Sequence, residues 1–275
     1  MRLMLVAAAL CFVGGVAVAQ DAPAVTLFET EQDVWRQDLG EDFCWCEPRQ
    51  VNGGVFAAWV GLGEQGLIPA LGSKPRIVVL GDSITKGVRS GVSLEQTYGE
   101  VLRRRLLEKG MDYEVINRGI GGERTDQAVQ RLARDVLAVE PRLVTVMYGT
   151  NDSYVDKGRT ESRISADEFE QHLRTIVGEL RRNGIRVVLM TEPAWGASAV
   201  LNGAGEHPNV RLASYMERTR KVAAETGVPL VDHFRIWSDA AAGGVDIGGW
   251  TTDQCHPNGA GHEKLAEGIM GVVKW

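Results

Sequence analysis

From residue 75 onward the chain alternates short apolar runs with longer amphipathic ones. The short runs, Arg76–Leu80, Tyr113–Asn117, Leu143–Tyr148, Arg186–Thr191 and Pro229–Asp232, are rich in Val, Ile and Leu with little polar alternation. That pattern predicts strands covered on both faces. Between them, helical spacing predicts helices over Leu94–Lys109, Arg124–Val139, Ala166–Asn183, Val210–Thr226 and Gly261–Val273. Ser165 with Glu168 reads as a capping box and Gly184 as a helix stop. Strand and helix taking turns in this way predict an α/β fold: a five-stranded parallel sheet sandwiched between helical layers.

The first 74 residues follow another pattern. Arg2 precedes an uncharged apolar stretch from Leu3 to Val18, and Ala17-Val18-Ala19 reads as a cleavage signal before Gln20. The stretch is short for a membrane span and is interrupted by Gly14 and Gly15. Residues 1–19 are therefore read as a signal peptide, with the mature protein exported to a periplasm or secreted. Residues 20–74 mix glycines and acidic residues with Trp35, Trp45 and Trp59 without a clear period. They are expected to form an N-terminal extension packed on a main domain of residues 75–275. No later segment approaches eighteen uncharged apolar residues, so no stable membrane insertion is expected.

Composition narrows the partners. The chain has 275 residues and a formal charge of −6, which argues against a nucleic-acid-binding surface. The one dense basic run, Arg103 to Arg105, shares a helical stretch with Glu100 and Glu108 and reads as a solvated helix face. Export permits disulfides, yet only Cys44, Cys46 and Cys255 lie beyond the leader. An odd count leaves at least one thiol unpaired. Cys44 and Cys46 are too close for an easy bridge with each other, while either could reach Cys255. A catalytic cysteine is the other use of such a thiol.

Chemistry gathers after the strands. In an open parallel sheet, ligands bind beyond the carboxyl ends of the strands. There the chain places Gly81-Asp82-Ser83, then Asn117 to Gly122, then Gly149-Thr150-Asn151-Asp152, and before the last helix Asp253-Gln254-Cys255-His256. Ser83 is a nucleophile if a base removes its proton; His256 is the candidate base, and Asp253 can hold its other ring nitrogen. The backbone N–H groups of Ser83 and Gly122 and the side-chain amide of Asn151 can form an oxyanion hole. Each residue alone has a plainer reading, as cap, turn or packed side chain. His172, His207, His233 and His262 keep that plainer reading, and Asp82 and Asp152 read as structural neighbours. Asp253, Cys255 and His256 could also start a metal site, but no further ligand at suitable spacing completes it.

These blocks resemble the SGNH hydrolases, also called GDSL esterases, from about Pro75 to the C-terminus. Ser83 matches the family's nucleophile, Gly122 and Asn151 its oxyanion residues, and Asp253 and His256 its Asp-x-x-His block. The resemblance implies a three-layer α/β/α sandwich like flavodoxin and an esterase or lipase reaction that needs no cofactor. Ile84 stands where the family's name has Leu, and the N-terminal extension is absent from its smallest members. The Ser83 segment lacks the closing Gly of the conventional α/β-hydrolase elbow.

The substrate is less constrained. Trp195 and Trp250 fall near the same rim, as does Tyr154, which opens a polar stretch containing Lys157, Arg159 and Arg163. Such a wall suits a hydroxylated or anionic ester better than a long fatty chain, and no apolar lid follows the leader. The reading is an esterase removing short acyl groups, such as acetyl, from a small-molecule or glycan ester. A lysophospholipase or thioesterase, an acyltransferase and a silent glycan-binding module are the alternatives.

Overall fold

The computed structural model describes residues 49–51, 54–56 and 74–275. The chain divides into two units, Met1–Gly72 and Ser73–Trp275. In the first, strands β1 (Arg49–Val51) and β2 (Gly54–Phe56) pair antiparallel. The leader, the rest of the extension, Cys44 and Cys46 lie outside the described residues.

The second unit holds five parallel strands: β3 (Arg76–Gly81), β4 (Glu114–Gly119), β5 (Leu143–Met147), β6 (Arg186–Met190) and β7 (Leu230–Val231). Their spatial order is β4-β3-β5-β6-β7. This is the flavodoxin order, and its topological switch point falls between β3 and β5. Alternation along β3 splits the core in two. Val78 and Leu80 join Val144, Val146, Val187 and Leu189 on one face of the sheet. Ile77 and Val79 join Met147, Val188, Met190 and Val231 on the other.

Helices cover both faces. α3 (Thr125–Asp135), α5 (Ala166–Arg182) and α6 (Pro208–Thr226) bury Leu132, Phe169, Leu173, Ile176, Leu212 and Met216 on the first face. α2 (Tyr98–Glu108) and α8 (Gly259–Val272) bury Val101, Leu102, Leu106, Leu265 and Ile269 on the second. The capping box forms: Ser165 accepts from the Glu168 N–H and the Glu168 carboxylate accepts from the Ser165 N–H. Arg104 and Arg105 of the basic run pair with Glu263 of α8.

Several boundaries differ from the sequence pattern. β4 is an edge strand and only half buried, so it is not covered on both faces as expected. It also continues through Arg118 and Gly119, because these keep register with Leu80 and Gly81. β7 shrinks to two residues, since the Asp232 side chain caps α7 (His233–Ala242), a helix that the pattern did not announce. The helix expected from Leu94 breaks at Thr97, which is extended at ψ 148°; a 3-10 turn precedes it and α2 starts at Tyr98. Among the described residues no helix is long and apolar enough to cross a membrane.

Candidate active site

Short helices begin where β3 and β5 end, on either side of the switch point. α1 (Ser83–Lys86) follows β3 directly, with Asp82 as its N-cap accepting from the Ile84 N–H at 2.9 Å. α4 (Thr150–Ser153) follows β5 by way of Gly149 and carries Asn151. The backbone of α1 lies so close to β4 that a Cβ on Gly119 would stand 2.1 Å from the Lys86 nitrogen. Beyond it the chain turns through Gly122, at φ +77°, a conformation that glycine adopts without a Cβ penalty. The Ile120 N–H donates to the Gly81 carbonyl and ties that turn to the end of β3.

Ser83 Oγ lies 2.9 Å from His256 Nε2, and His256 Nδ1 lies 2.9 Å from Asp253 Oδ2. Partial burial opposes ionisation of Asp253. The His256 N–H, the imidazole and the Cys255 N–H outweigh it and hold the carboxyl at about 2. An ionised Asp253 only accepts, so Nδ1 carries the ring proton and Nε2 is free to accept from Ser83. Burial lowers the imidazole below its ordinary value, against the pull of Asp253. The neutral form of the ring is favoured accordingly.

Local turns hold this pair. The Thr251 hydroxyl accepts from the Gln254 N–H, the Thr252 N–H donates to the His256 carbonyl, and Gln254 sits at φ +71°. Asp253 Oδ1 accepts from the His256 N–H at 2.8 Å and from the Cys255 N–H at 3.2 Å. The Cys255 thiol is free and buried, and burial pushes it well above its ordinary value, which leaves it the inert thiol of the group. Among the described residues, no group of three or more His, Cys, Asp and Glu could hold a metal ion.

The amide of Asn151 is pinned at both ends. Its Nδ2 donates to Asp82 Oδ2 at 2.9 Å, and its Oδ1 accepts from Arg163 Nη1 at 3.3 Å. One Nδ2 hydrogen remains for a ligand. Asp82 is fully buried, and burial pushes its carboxyl up to about 7, against the Ile84 N–H and with the Asp152 charge adding to the rise. Asp152, also fully buried, accepts from the N–H of Thr125 and so ties α3 to α4; burial raises its carboxyl to about 6. Of the two, Asp82 is the one that touches the Asn151 amide.

Glu192, just past β6, escaped the sequence reading. It is fully buried, and neither of its oxygens accepts a hydrogen bond of ordinary geometry. Burial and then the charge of Asp82 push it well above the usual range, so it is a neutral acid beside Asp82 at neutral pH. Nothing in its local sequence marks it, because its partner Asp82 lies past the end of another strand.

The aromatic residues separate. Tyr154 stacks on Trp195 with ring centroids 6.2 Å apart, and Arg163 lies over the Tyr154 ring at 5.1 Å. Trp250 packs edge-on against buried Trp237 at 5.2 Å. The other histidines keep structural positions. His233 and His262 are fully buried and lowered by burial to about 3 and about 4, His207 caps α6, and His172 contacts the Thr125 hydroxyl. Arg163, which donates to Asn151, also lines a pocket of about 630 Å³ with Arg124, Asp156, Arg159, Thr160 and Glu161.

A serine at the switch point of a flavodoxin-like sheet, bonded to a histidine brought by the last loop, defines a class of α/β hydrolase. The chain belongs to the GDSL-like lipase/acylhydrolase family, whose model matches residues 79–264, and with it to the SGNH hydrolases; it is a carboxylic ester hydrolase. It is 30% identical over 205 residues to the isoamyl acetate-hydrolyzing esterase 1 homolog of Rattus norvegicus, covering 70% of this chain and 78% of that protein. It is 27% identical over 218 residues to an acetylxylan esterase of Geobacillus stearothermophilus, covering 74% and 95%. Among solved structures it resembles the acetyl xylan esterase AlAXEase, with a TM-score of 0.60, 28% identity, and coverage of 71% and 98%.

Proposed function

We propose that this chain is an exported serine esterase that removes short acyl groups, acetyl above all, from a carbohydrate. The observation that carries the mechanism is the unbroken line of hydrogen bonds from Ser83 Oγ through His256 to Asp253. Ser83 Oγ attacks the ester carbonyl as His256 Nε2 takes its proton, and the resulting imidazolium is stabilised by Asp253. The oxyanion is met by the N–H groups of Ser83 and Gly122 and by the free Nδ2 hydrogen of Asn151. His256 returns the proton to the leaving alcohol, which departs and leaves an acyl-serine. Water, losing a proton to His256, attacks that acyl group and releases the acid and Ser83.

Three observations favour a small acyl group on a polar alcohol. Two relatives carry names that refer to acetate esters, one of them of a polysaccharide. The pocket that Arg163 helps to line is polar and holds three arginines. The Tyr154–Trp195 pair offers a flat aromatic surface next to it, of the kind on which sugars stack. Export rests on the pattern of residues 1–19, and the N-terminal residue of the secreted protein checks it.

The test compares p-nitrophenyl acetate, butyrate, octanoate and palmitate with the full chain and its Ser83→Ala variant. The reading expects serine-dependent turnover that falls steeply beyond butyrate. Equal or faster turnover of octanoate overturns the short-acyl assignment, and a Ser83→Ala variant as active as the parent overturns the mechanism.

A further inference from the structure

The carboxylate of Asp253 has a second basic partner. Arg89 Nη2 donates to Asp253 Oδ2 at 2.8 Å, the same oxygen that faces His256 Nδ1 at 2.9 Å. Arg89 stands in the loop between α1 and α2, 164 residues away in sequence. A tight turn presents it: the Arg89 and Val92 backbones exchange hydrogen bonds across Gly91, at φ +84°, and Val92 is buried. The guanidinium is two-thirds covered, and its Nη1 is buried without a partner. With the N–H groups of Cys255 and His256 on Oδ1, both Asp253 oxygens are engaged from outside the imidazole.

Resting on the reading of Ser83, His256 and Asp253 as the catalytic relay, we propose that Arg89 is a positioning residue of that relay. It clamps Asp253 toward His256, and its fixed charge keeps the imidazole free to accept the serine proton in mildly acidic solution. The physical reason is that imidazolium and guanidinium would share one carboxylate oxygen. Asp253 favours the protonated ring, while a permanent positive charge at that distance disfavours it. The remaining groups near the ring are neutral or more distant. Burial favours neutral His262 of α8 and a protonated Cys255 thiol, and the charges that act on the ring are those of Asp253 and Arg89. The direction is supported by the charge of Arg89, which lowers His256, acting against Asp253.

The experiment measures kcat/KM on p-nitrophenyl acetate from about pH 5 to about pH 9 for the full chain, Arg89→Met, Arg89→Lys and Ser83→Ala. A parallel NMR titration follows His256 in Ser83→Ala and in Ser83→Ala/Arg89→Met, where no activity is needed. Arg89 is partly exposed, and circular dichroism checks that each variant is folded. The expected result is an acid limb displaced to higher pH in Arg89→Met. Its rate near pH 5.5 falls roughly threefold further than its rate near pH 8. Arg89→Lys keeps the parental limb with a lower kcat, and His256 titrates at higher pH once Arg89 is gone. An unchanged acid limb and an unchanged His256 titration in Arg89→Met overturn the inference, as does a limb displaced to lower pH. Full activity of Ser83→Ala would instead overturn the relay itself.

Discussion

The two halves of the candidate site are built on opposite principles. The half that would stabilise the oxyanion is set in buried carboxyl groups. Asp82, Asp152 and Glu192 are all fully buried, and burial raises each above its ordinary range. The half that would move the proton lies in the open, with Asp253 39% and His256 26% exposed at the side chain. There, hydrogen bonds within a single turn, joined by Arg89 from outside it, outweigh partial burial at Asp253. A network in low dielectric couples geometry to stability, whereas a surface turn holds its side chains at little cost to the rest of the molecule.

The sharpest way to break this contrast is His256→Ala. Losing the base is expected to reduce kcat/KM by about 10²–10⁴-fold. Because the turn's backbone bonds remain, unfolding free energy is expected to move by no more than about 0.5 kcal/mol. Urea unfolding followed by circular dichroism checks it. A larger loss of stability would mean that the exposed half also carries structural weight.

Asp82→Asn asks the same of the buried half. The new amide would face the Asn151 Nδ2, donor against donor, or turn and give up the Ile84 N–H. Loss of one oriented oxyanion donor is expected to lower kcat by about 10²-fold with KM little changed. Unlike His256→Ala, it is also expected to destabilise the fold by about 1–3 kcal/mol. A variant of parental stability would show that Asp82 is a local cap and nothing more.

The contrast also explains what could be read from the sequence. Asp253 and His256 sit three residues apart in one turn, and Ser83 follows its strand at once, so their place at one rim can be expected from the order of motifs along the chain. The parallel sheet was legible because its central strands are almost wholly apolar, with Thr145 the one polar residue inside β5. Glu192 and Arg89 were not legible, since each acts on a residue from a distant part of the chain. Neither does anything in its own segment that a turn, cap or period would reveal. β4 and β7 were misjudged in coverage or length for a related reason: edge position is a property of strand order, which apolar composition does not encode. The ten-residue α7 hid behind Asp232, a strand residue by pattern that serves as a cap in space.

A smaller effect, on stability alone, comes from pH. Burial raises Asp82 to about 7 and Asp152 to about 6, and pushes Glu192 well above the ordinary carboxylate value. Between the ordinary value and these, the folded chain binds more protons than the unfolded one, so unfolding free energy falls as pH rises from about 4 to 7. Glu192→Gln removes one of these acids and its repulsion of Asp82, and is expected to flatten that slope. Urea unfolding at about pH 5, 6.5 and 8 measures it. A slope as steep as the parent's would place the pH-sensitive acids elsewhere.

The two halves meet at Tyr154 and Trp195, and here the smallest effect is expected. Tyr154 directly follows α4, which carries Asn151, the proposed oxyanion amide. Trp195 precedes Gly196, whose N–H donates to the carbonyl of Gln254 in the base-bearing turn at 2.8 Å. A sugar stacked on this pair would bridge both halves without touching the reacting atoms. Tyr154→Leu is therefore expected to raise KM for an acetylated xylo-oligosaccharide by about 3- to 10-fold, the worth of one aromatic contact. Its kcat, and its kcat/KM on p-nitrophenyl acetate, which has no sugar, are expected to stay within about twofold of the parent. Equal losses on both substrates would instead mean that Tyr154 supports the Arg163–Asn151 contact through its ring, and so belongs to the buried half alone.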